Sequence, residues 1–249
     1  MRPEAEPPPG GLIRVAVAGA AGRMGETVCR AVDAAPDMIL SGRADPALDV
    51  TLADVLPGAD VLVDFTTPST VVENARTAVG AGVHVVIGTT GFEIGTLLRE
   101  LEPDAGARGR EFGATRPKPA NIFIAPNFAI GAVLMMRFAA EAAPHMARAE
   151  IIELHHDGKI DKPSGTAART AEVMAQAAPD RPEVTIHSVR LPGLVAHQEV
   201  ILGDVGQTLT IRHDSTDRES FMPGVLLAIR RVGELTESPV VGLERLLFS

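Results

Sequence analysis

The chain has 249 residues, a hydrophobic content of 45% and a formal net charge of −9. This length and hydrophobicity suffice for one large domain or two modest ones, and they argue against global disorder. The negative charge, the lack of a Lys/Arg-rich run and the absence of Trp and Tyr argue against a nucleic-acid-binding surface. The single cysteine, Cys29, excludes an internal disulfide framework.

The sequence shows no signal for a membrane location. No apolar run reaches the ~18 residues that a transmembrane helix needs. Residues 1–10 are rich in Pro and Glu, lack the apolar core of a signal peptide and are predicted to form a flexible tail. We therefore expect a cytoplasmic protein with no membrane partner.

Strands and helices alternate regularly up to about residue 127. An apolar, β-branched run over 13–18 leads into a glycine-rich turn and a helical pattern that ends before Pro36. Further elements follow in chain order: strands over 38–41, 61–64, 84–87 and 122–125, and a helix over 70–79. Apolar strands that alternate with helices predict a parallel sheet covered on both faces.

The pattern changes in the second half of the chain. The predicted elements are helices over 131–143, 166–177 and 223–232, and strands over 150–154, 184–190, 199–202 and 208–213. Two of these strands alternate apolar and polar residues, which predicts a sheet with one polar face. We therefore predict a second, mixed α+β domain, in which a one-faced sheet favours oligomerisation.

The first candidate site is the glycine turn Gly19–Gly25, with glycines at every third position, between the first strand and the first helix. Glycines let the backbone turn tightly and approach a pyrophosphate, which the free N–H groups of a helix N-terminus then bind. This placement predicts a Rossmann-type dinucleotide-binding domain over 11–127, to which 229–249 return. The second domain then spans 128–228, as a substrate-binding and oligomerisation domain.

An acidic residue follows the second strand. Asp45 stands where a carboxylate would bind the adenine ribose hydroxyls of a dinucleotide. The nearby Arg23 and Arg43 could instead contact a 2′-phosphate. The sequence thus leaves NADH and NADPH both open.

Three later turns follow parallel strands. They are Phe65-Thr66, Gly88-Thr89-Thr90 and Pro126-Asn127-Phe128. Ligands of open parallel sheets bind outside the carboxyl ends of the strands, so these turns are predicted to contact cofactor or substrate.

The segment 153–166 places two imidazoles and two ammonium groups close together, at His155, His156, Lys159 and Lys162. Ser164-Gly165-Thr166 then opens a predicted helix, in which Ser164 can act as the N-cap while the next two residues present N–H groups to a carboxylate. Adjacent histidines chelate poorly, so no metal is predicted. The segment indicates a small anionic substrate and an acid/base step.

Together these motifs resemble the dihydrodipicolinate reductase family. The resemblance rests on Gly-Ala-Ala-Gly-Arg-Met-Gly at 19–25, Asp-Phe-Thr at 64–66, Gly-Thr-Thr-Gly-Phe at 88–92 and Glu-Leu-His-His…Lys…Asp-x-Pro-Ser-Gly-Thr-Ala at 153–167. It spans about 12–248 and is greatest for actinobacterial members. It implies that NADH or NADPH delivers a hydride to C4 of a cyclic dicarboxylate, in diaminopimelate and lysine biosynthesis, on a homotetramer.

The resemblance also implies roles for individual residues. His155 matches the catalytic acid/base and Lys159 the proton donor. The matching substrate contacts are His156, Lys159, Gly165 and Thr166. The matching cofactor contacts are Gly19, Ala20, Ala21, Gly22, Arg23, Met24, Asp45, Gly88, Thr89, Thr90, Ala125, Pro126, Asn127 and Phe128.

The chain departs from the family pattern in three places. Asp157-Gly158 stands where a Pro-His or Arg-His pair is expected, the stretch 177–184 is short, and Pro46 stands where some relatives have an arginine for the 2′-phosphate. The proline shifts the expectation toward NADH. Two alternatives stay open: another Rossmann-type dehydrogenase, which does not account for the His-His-Lys segment, and a catalytically silent dinucleotide sensor, which Asp157-Gly158 would permit.

Overall fold

The computed structural model describes residues 11–101 and 120–248, so the predicted tail over 1–10 lies outside the described residues. Two compact units are present. One comprises the chain up to Phe128 and again from Gly224, and the other is Ala129–Pro223. The sequence had placed the second boundary after 228. The structure places it earlier because Gly224 packs so closely on the Phe128 carbonyl that a Cβ there would clash.

No helix within the described ranges has the length and apolar character to span a membrane.

The first unit contains a six-stranded parallel sheet, which confirms the predicted Rossmann-type fold. Its strands are β1 (Ile13–Ala18), β2 (Met38–Ala44), β3 (Val61–Asp64), β4 (His84–Ile87), β5 (Ile122–Ile124) and β10 (Val240–Val241), in the order β10-β5-β4-β3-β1-β2. The helices that belong to it or reach into it are α1 (Arg23–Ala34), α2 (Leu52–Val55), α3 (Val71–Gly80), α4 (Ile94–Leu101), α7 (Met222–Arg231) and α8 (Glu244–Leu247). The two-residue β10 was not predicted, because so short a strand carries no periodicity.

The core of this unit explains its strand sequences. Strand β3 is buried along its whole length, and β4 is buried from Val85 to Ile87. Parallel strands covered by helices on both faces are apolar at successive positions. Helix α3 buries Val71, Ala75 and Ala78, the spacing of one helical face. The buried Asp64 at the end of β3 is an exception to this apolar pattern.

The second unit is a mixed sheet with two helices, as predicted. Its elements are α5 (Ile130–Ala142), β6 (Arg148–His155), α6 (Gly165–Ala177), β7 (Thr185–Arg190), β8 (Ala196–Asp204) and β9 (Gln207–Ser215). The strand order is β7-β6-β8-β9; β7 is parallel to β6, and the other pairs are antiparallel. A core that includes Met135, Ile151, Met174 and Val200 joins the helices to one face of the sheet. Strands β8 and β9 run beyond the predicted 199–202 and 208–213, because their antiparallel ladder continues to the turn between them.

Candidate active site

The glycine turn adopts the conformation that its spacing predicts. Gly19 has a φ of +76°, and its N–H donates to the Ala44 carbonyl at 2.9 Å. A Cβ on Gly25 would overlap the Gly19 backbone, so glycine permits the close packing of α1 on the turn. Gly22 is the N-cap of α1 and makes no side-chain cap bond. The first turn of α1 therefore offers backbone N–H groups to an anion.

Asp45 joins the glycine turn to the loop after β2. Its Oδ2 accepts from the Ala21 N–H at 3.0 Å, and its Oδ1 accepts from the Ala47 N–H at 2.9 Å. Pro46 begins the 3-10 helix Pro46–Leu48 that Asp45 caps. A carboxylate has about four acceptor sites, so these two bonds leave capacity for ribose hydroxyls. The side chain that the sequence predicted to bind ribose thus also shapes the loop.

A cleft of about 630 Å³ lies along this turn. Its lining includes three predicted cofactor contacts, Gly19, Gly22 and Asp45, and residues that sequence reasoning missed, among them Asp49 and Thr70. These come from the loops after β2 and β3. No local sequence motif identifies Asp49 and Thr70, because only the order of the parallel strands brings their loops to the same cleft.

A buried carboxylate organises the ends of β3 and β4. Asp64 is fully buried, and its Oδ1 accepts from the Thr66 N–H at 3.0 Å, the Thr66 hydroxyl at 2.7 Å and the Thr89 hydroxyl at 2.8 Å. Its Oδ2 accepts from the Asn74 amide at 2.8 Å. A buried carboxylate is tolerated only when hydrogen-bonded, and this network secures two neighbouring turns at the sheet edge. The sequence motif contained Asp64, but no role was predicted for it.

Gly88 and Phe128 have packing roles next to this edge. A Cβ on Gly88 would overlap the Phe65 ring, so the glycine makes room for that aromatic side chain. Phe65 and Phe128 have ring centroids 6.0 Å apart, and Phe128 lies 6.3 Å from Phe123. The Phe128 ring is therefore part of the core, and its position leaves the backbone as the part available to a ligand.

The other predicted cofactor contacts divide by exposure. The buried ones are Ala20, Thr89 and Ala125. Those exposed at the sheet edge or on the glycine turn are Gly22, Arg23, Thr90 and Pro126, whereas Gly19, Ala21, Met24, Asp45, Gly88 and Asn127 are partly buried. The prediction therefore combined two kinds of residue, those that shape the turns and those that present a surface.

In the second unit, the basic segment is built on a buried ion pair. Glu153 is fully buried in β6, and its carboxylate accepts two hydrogen bonds from the Arg190 guanidinium of β7, at 2.7 and 2.8 Å. The His155 Nδ1 lies 2.5 Å from the Glu153 Oε2. Burial tends to raise the pKa of Glu153, but hydrogen bonds from Arg190, Ser188 and His155 outweigh it and hold the pKa below its ordinary value. Glu153 is thus ionised at neutral pH.

The environment of His155 lowers its pKa. Burial is the largest cause, and the positive charges of Lys159 and Arg190 act in the same direction, while Glu153 opposes them. Strand β6 ends at His155, so His156 lies beyond it and is exposed. The two imidazoles therefore do not lie on one strand, because the chain turns immediately after His155.

Asp157-Gly158 forms that turn. The Lys159 N–H donates to the His156 carbonyl at 3.2 Å, so Asp157 and Gly158 occupy the central turn positions, where these residue types are favoured. A Cβ on Gly158 would lie 3.3 Å from the His156 Nδ1, so the glycine leaves room for the imidazole. Beyond the turn, the Lys159 ammonium pairs with the Asp161 carboxylate at 2.8 Å.

The start of α6 confirms the predicted cap. The Ser164 hydroxyl accepts from the Ala167 N–H at 3.2 Å, and the Ser164 N–H donates to the Glu153 Oε1 at 3.3 Å. Gly165 and Thr166 are the first helical residues, where N–H groups and the helix dipole favour an anion. Glu153 therefore connects His155 to this helix terminus. Among the residues that the structure describes, no group of three or more His, Cys, Asp or Glu side chains could hold a metal ion.

The features of the first unit fit a dinucleotide. The glycine cradle excludes side chains from the turn, the first turn of α1 offers N–H groups for a pyrophosphate, and Asp45 retains acceptors for ribose. The Rossmann-type unit therefore has the features of a nicotinamide cofactor site.

Comparisons with known proteins match both units. The family model described as "Dihydrodipicolinate reductase, N-terminus" matches residues 13–107, and "Dihydrodipicolinate reductase, C-terminus" matches 131–247. The 4-hydroxy-tetrahydrodipicolinate reductases of Mycolicibacterium smegmatis and Thermobifida fusca are similar to this chain at 46% and 47% identity. Those alignments cover 94% and 95% of this chain and 99% of each relative.

Solved structures agree with this assignment. The dipicolinate-bound dihydrodipicolinate reductase from Paenisporosarcina sp. TG-14 has a TM-score of 0.77 and 36% identity, over 94% of this chain and 99% of that one. A probable dehydrogenase from Thermotoga maritima has a TM-score of 0.58 at 12% identity, over 94% of this chain and 92% of that one, and so shows the fold alone. The chain belongs to the dihydrodipicolinate reductase family.

Proposed function

We propose that this chain reduces 4-hydroxy-tetrahydrodipicolinate to tetrahydrodipicolinate in diaminopimelate and lysine biosynthesis. The substrate gains one hydride and one proton and loses its hydroxyl as water. The observation that carries the proposal is that one unit groups a partly buried imidazole held by a carboxylate, the turn that leads to Lys159, and a helix N-terminus. When bound, the nicotinamide cofactor supplies the hydride.

The residues of the second unit have separate roles in this reaction. His155 holds and transfers the proton, because an imidazole exchanges protons near neutral pH. Lys159 binds or protonates the substrate, and a dicarboxylate competes with Asp161 for its ammonium. Gly165 and Thr166 receive a substrate carboxylate at the start of α6, and the exposed His156 adds a further donor.

We propose that NADH is preferred over NADPH. The cleft lining contains Asp45 and Asp49, and neither Arg23 nor Arg43 is among the lining residues within the described part of the chain. The Arg43 guanidinium instead lies near Cys29, where its positive charge opposes the rise in the pKa of the thiol that burial causes. A 2′-phosphate next to two carboxylates would be repelled, whereas ribose hydroxyls can donate to Asp45.

A homotetramer in the cytoplasm accords with this function and is likewise a proposal. In the second unit, β9 carries the partly exposed Leu209, and the turn before it exposes Val205. Apolar side chains on an edge strand favour association between copies. Light scattering coupled to size-exclusion chromatography checks the number of subunits, and a monomer at micromolar concentration contradicts the proposal.

A steady-state assay tests the reaction. Freshly generated 4-hydroxy-tetrahydrodipicolinate is supplied with NADH or NADPH, and the nicotinamide absorbance is followed. We expect oxidation of the cofactor that depends on the substrate, with a higher kcat/KM for NADH. Cofactor binding without turnover would identify a dinucleotide sensor, and turnover only with an unrelated alcohol or amino acid would indicate another dehydrogenase.

A further inference from the structure

The guanidinium of Arg190 connects strand β6 to the loop that carries Lys159. Beside its paired bonds to Glu153, it donates to the Asp161 carbonyl at 2.7 Å and to the Lys159 carbonyl at 3.3 Å. The Arg190 side chain is only 6% exposed. A planar guanidinium with donors on both edges can hold a carboxylate and a loop backbone at once, which a lysine ammonium cannot do in the same geometry.

The carboxylate of Glu153, the partner of Arg190, connects β6 to helix α6 and to His155. It accepts from the Ser164 N–H at the start of α6 and contacts the Nδ1 of His155. An ionised carboxylate only accepts hydrogen bonds, so the His155 Nδ1 must carry the proton of this contact. The partner of one imidazole nitrogen thereby determines the protonation of the other.

We propose that Glu153 and Arg190 are positioning residues for the reduction: Glu153 holds His155 with its proton on Nδ1, so that Nε2 exchanges the proton with the substrate, and Arg190 holds the backbone that carries Lys159. This inference rests on the proposed function and names the atoms that perform it. Neither Glu153 nor Arg190 needs to touch the substrate.

The proton step balances with these atoms. In the imidazolium, the Nε2–H bond breaks and its electron pair stays on nitrogen. The hydroxyl of the substrate first leaves as water with a proton of the neighbouring ring carbon, and the hydride then adds to the resulting double bond. The new C–H bond forms on that neighbouring ring carbon from the electron pair that hydride addition displaced onto it. His155 then remains neutral with its proton on Nδ1, still donated to Glu153, and water returns the proton to Nε2.

The charges around His155 set the direction of the expected effects. Lys159 and Arg190 disfavour the imidazolium, and Glu153 favours it. A glutamine at 153 removes the negative charge and can donate as well as accept, so both imidazole tautomers become possible. The titration of His155 should therefore move to lower pH in Glu153→Gln.

The first experiment uses the wild-type protein. Nuclear magnetic resonance of the ¹⁵N-labelled histidine side chains reports which nitrogen of each neutral ring carries the proton, and His155→Gln identifies the His155 signals. We expect the Nδ1-protonated form for His155. An Nε2-protonated form overturns the proposal, whether or not the protein reduces the proposed substrate. The reductase assay fails separately if the proposed function is wrong.

The second experiment compares two glutamates of the same strand. Glu150 also pairs with a histidine, at 2.8 Å from the His187 Nε2, but both side chains are more than half exposed. We expect Glu153→Gln to lower kcat by about 10²-fold, a typical contribution of a positioned acid/base group, with a smaller change in KM. Glu150→Gln should retain wild-type kinetics. Equal, small effects of both substitutions would overturn the proposal.

The substitution Arg190→Lys tests the role of Arg190 separately from the role of Glu153. It keeps a positive charge beside Glu153 but loses the bonds to the Lys159 and Asp161 carbonyls. We expect kcat to fall by about tenfold, consistent with the loss of one or two hydrogen bonds to charged groups, while His155 keeps its Nδ1 proton. Wild-type kinetics in Arg190→Lys would overturn the role of Arg190. If Glu153→Gln does not fold, Glu153→Asp with the wild-type tautomer measurement provides the test.

Discussion

Each unit contains a fully buried carboxylate beside its candidate site, and the two differ in their partners. Asp64 in the first unit accepts from hydroxyl, amide and backbone donors, all of them neutral. Glu153 in the second unit is held by the Arg190 cation and a titratable imidazole. A neutral network fixes the backbone of the turns, whereas a charged network also changes proton affinities.

This difference accords with the proposed roles of the two sites. A pyrophosphate is bound by N–H groups, so the turns around the cofactor cleft need an accurate backbone more than local charge. Proton transfer needs a group whose protonation responds near neutral pH; an imidazole is such a group, and charges close to it adjust its proton affinity. Substitutions in the two networks should therefore affect different kinetic constants.

The largest effects are expected in the charged site. His155→Gln and Lys159→Ala should each lower kcat by about 10²-fold or more, because they remove general acid/base groups. Cofactor affinity, measured by the quenching or enhancement of nicotinamide fluorescence, should stay at the wild-type level. Wild-type turnover in both variants would contradict the assigned roles.

Substitution in the neutral network around Asp64 should weaken cofactor binding and change kcat much less. Asp64→Asn replaces one acceptor oxygen by an NH2 donor, which must face either the Thr66 N–H or the Asn74 NH2, and neither of these groups can accept a hydrogen bond. We expect cofactor KM to rise by about 10–30-fold, as an imperfectly satisfied buried group costs about 1–3 kcal/mol, with a much smaller change in kcat. Thermal unfolding of the variant provides the control for stability. A change in kcat with unchanged cofactor KM would remove the distinction between the networks.

The pH dependence sharpens the same comparison. Burial, with Lys159 and Arg190, lowers the pKa of His155, so the free protein loses the imidazolium as pH rises through a value below the ordinary one. We expect kcat/KM to decrease as the pH rises through a midpoint below the ordinary imidazole pKa, and kcat to persist to higher pH, because a bound dicarboxylate favours the imidazolium. His187→Gln is the matched control. If kcat and kcat/KM decrease at the same pH, the result contradicts this account.

Asp45 tests the cofactor preference within the first unit. Asp45→Ala removes the ribose acceptor and the bonds to Ala21 and Ala47. We expect NADH affinity to fall by about 10-fold, the lower limit for the loss of one hydrogen bond to a charged group, and NADPH affinity to fall less. Isothermal titration with both cofactors measures the two losses. Equal losses would assign Asp45 to the loop alone.

The smallest effect is expected at Asp157. The side chain is exposed at the centre of a turn, where Asn is equally favoured. Asp157→Asn should change kcat and substrate KM by less than about 3-fold, because exposed charges are strongly screened. Steady-state kinetics at two salt concentrations checks this. A large gain in substrate affinity would show that the carboxylate opposes anion binding.

Local patterns predicted a large part of the fold and of the site. The glycine turn, the Ser164 cap and the alternation of apolar strands with helices each involve neighbours in the chain, so their conformations follow from short-range sterics and hydrogen bonds. Asp157-Gly158 is also local, and its turn conformation could have been inferred from residue preference, although family comparison had suggested a functional deviation.

The sequence by itself determined the two kinds of unit, the glycine cradle and the residues of the basic segment. Only the tertiary structure decided that Glu153 meets Arg190, which is 37 residues further along the chain, that Asp64 joins two turns, and that Phe128 packs in the core. These contacts depend on strand order and register, which pair residues distant in sequence. A carboxylate in an apolar strand indicates that a partner is required, but only the folded sheet determines which residue that partner is.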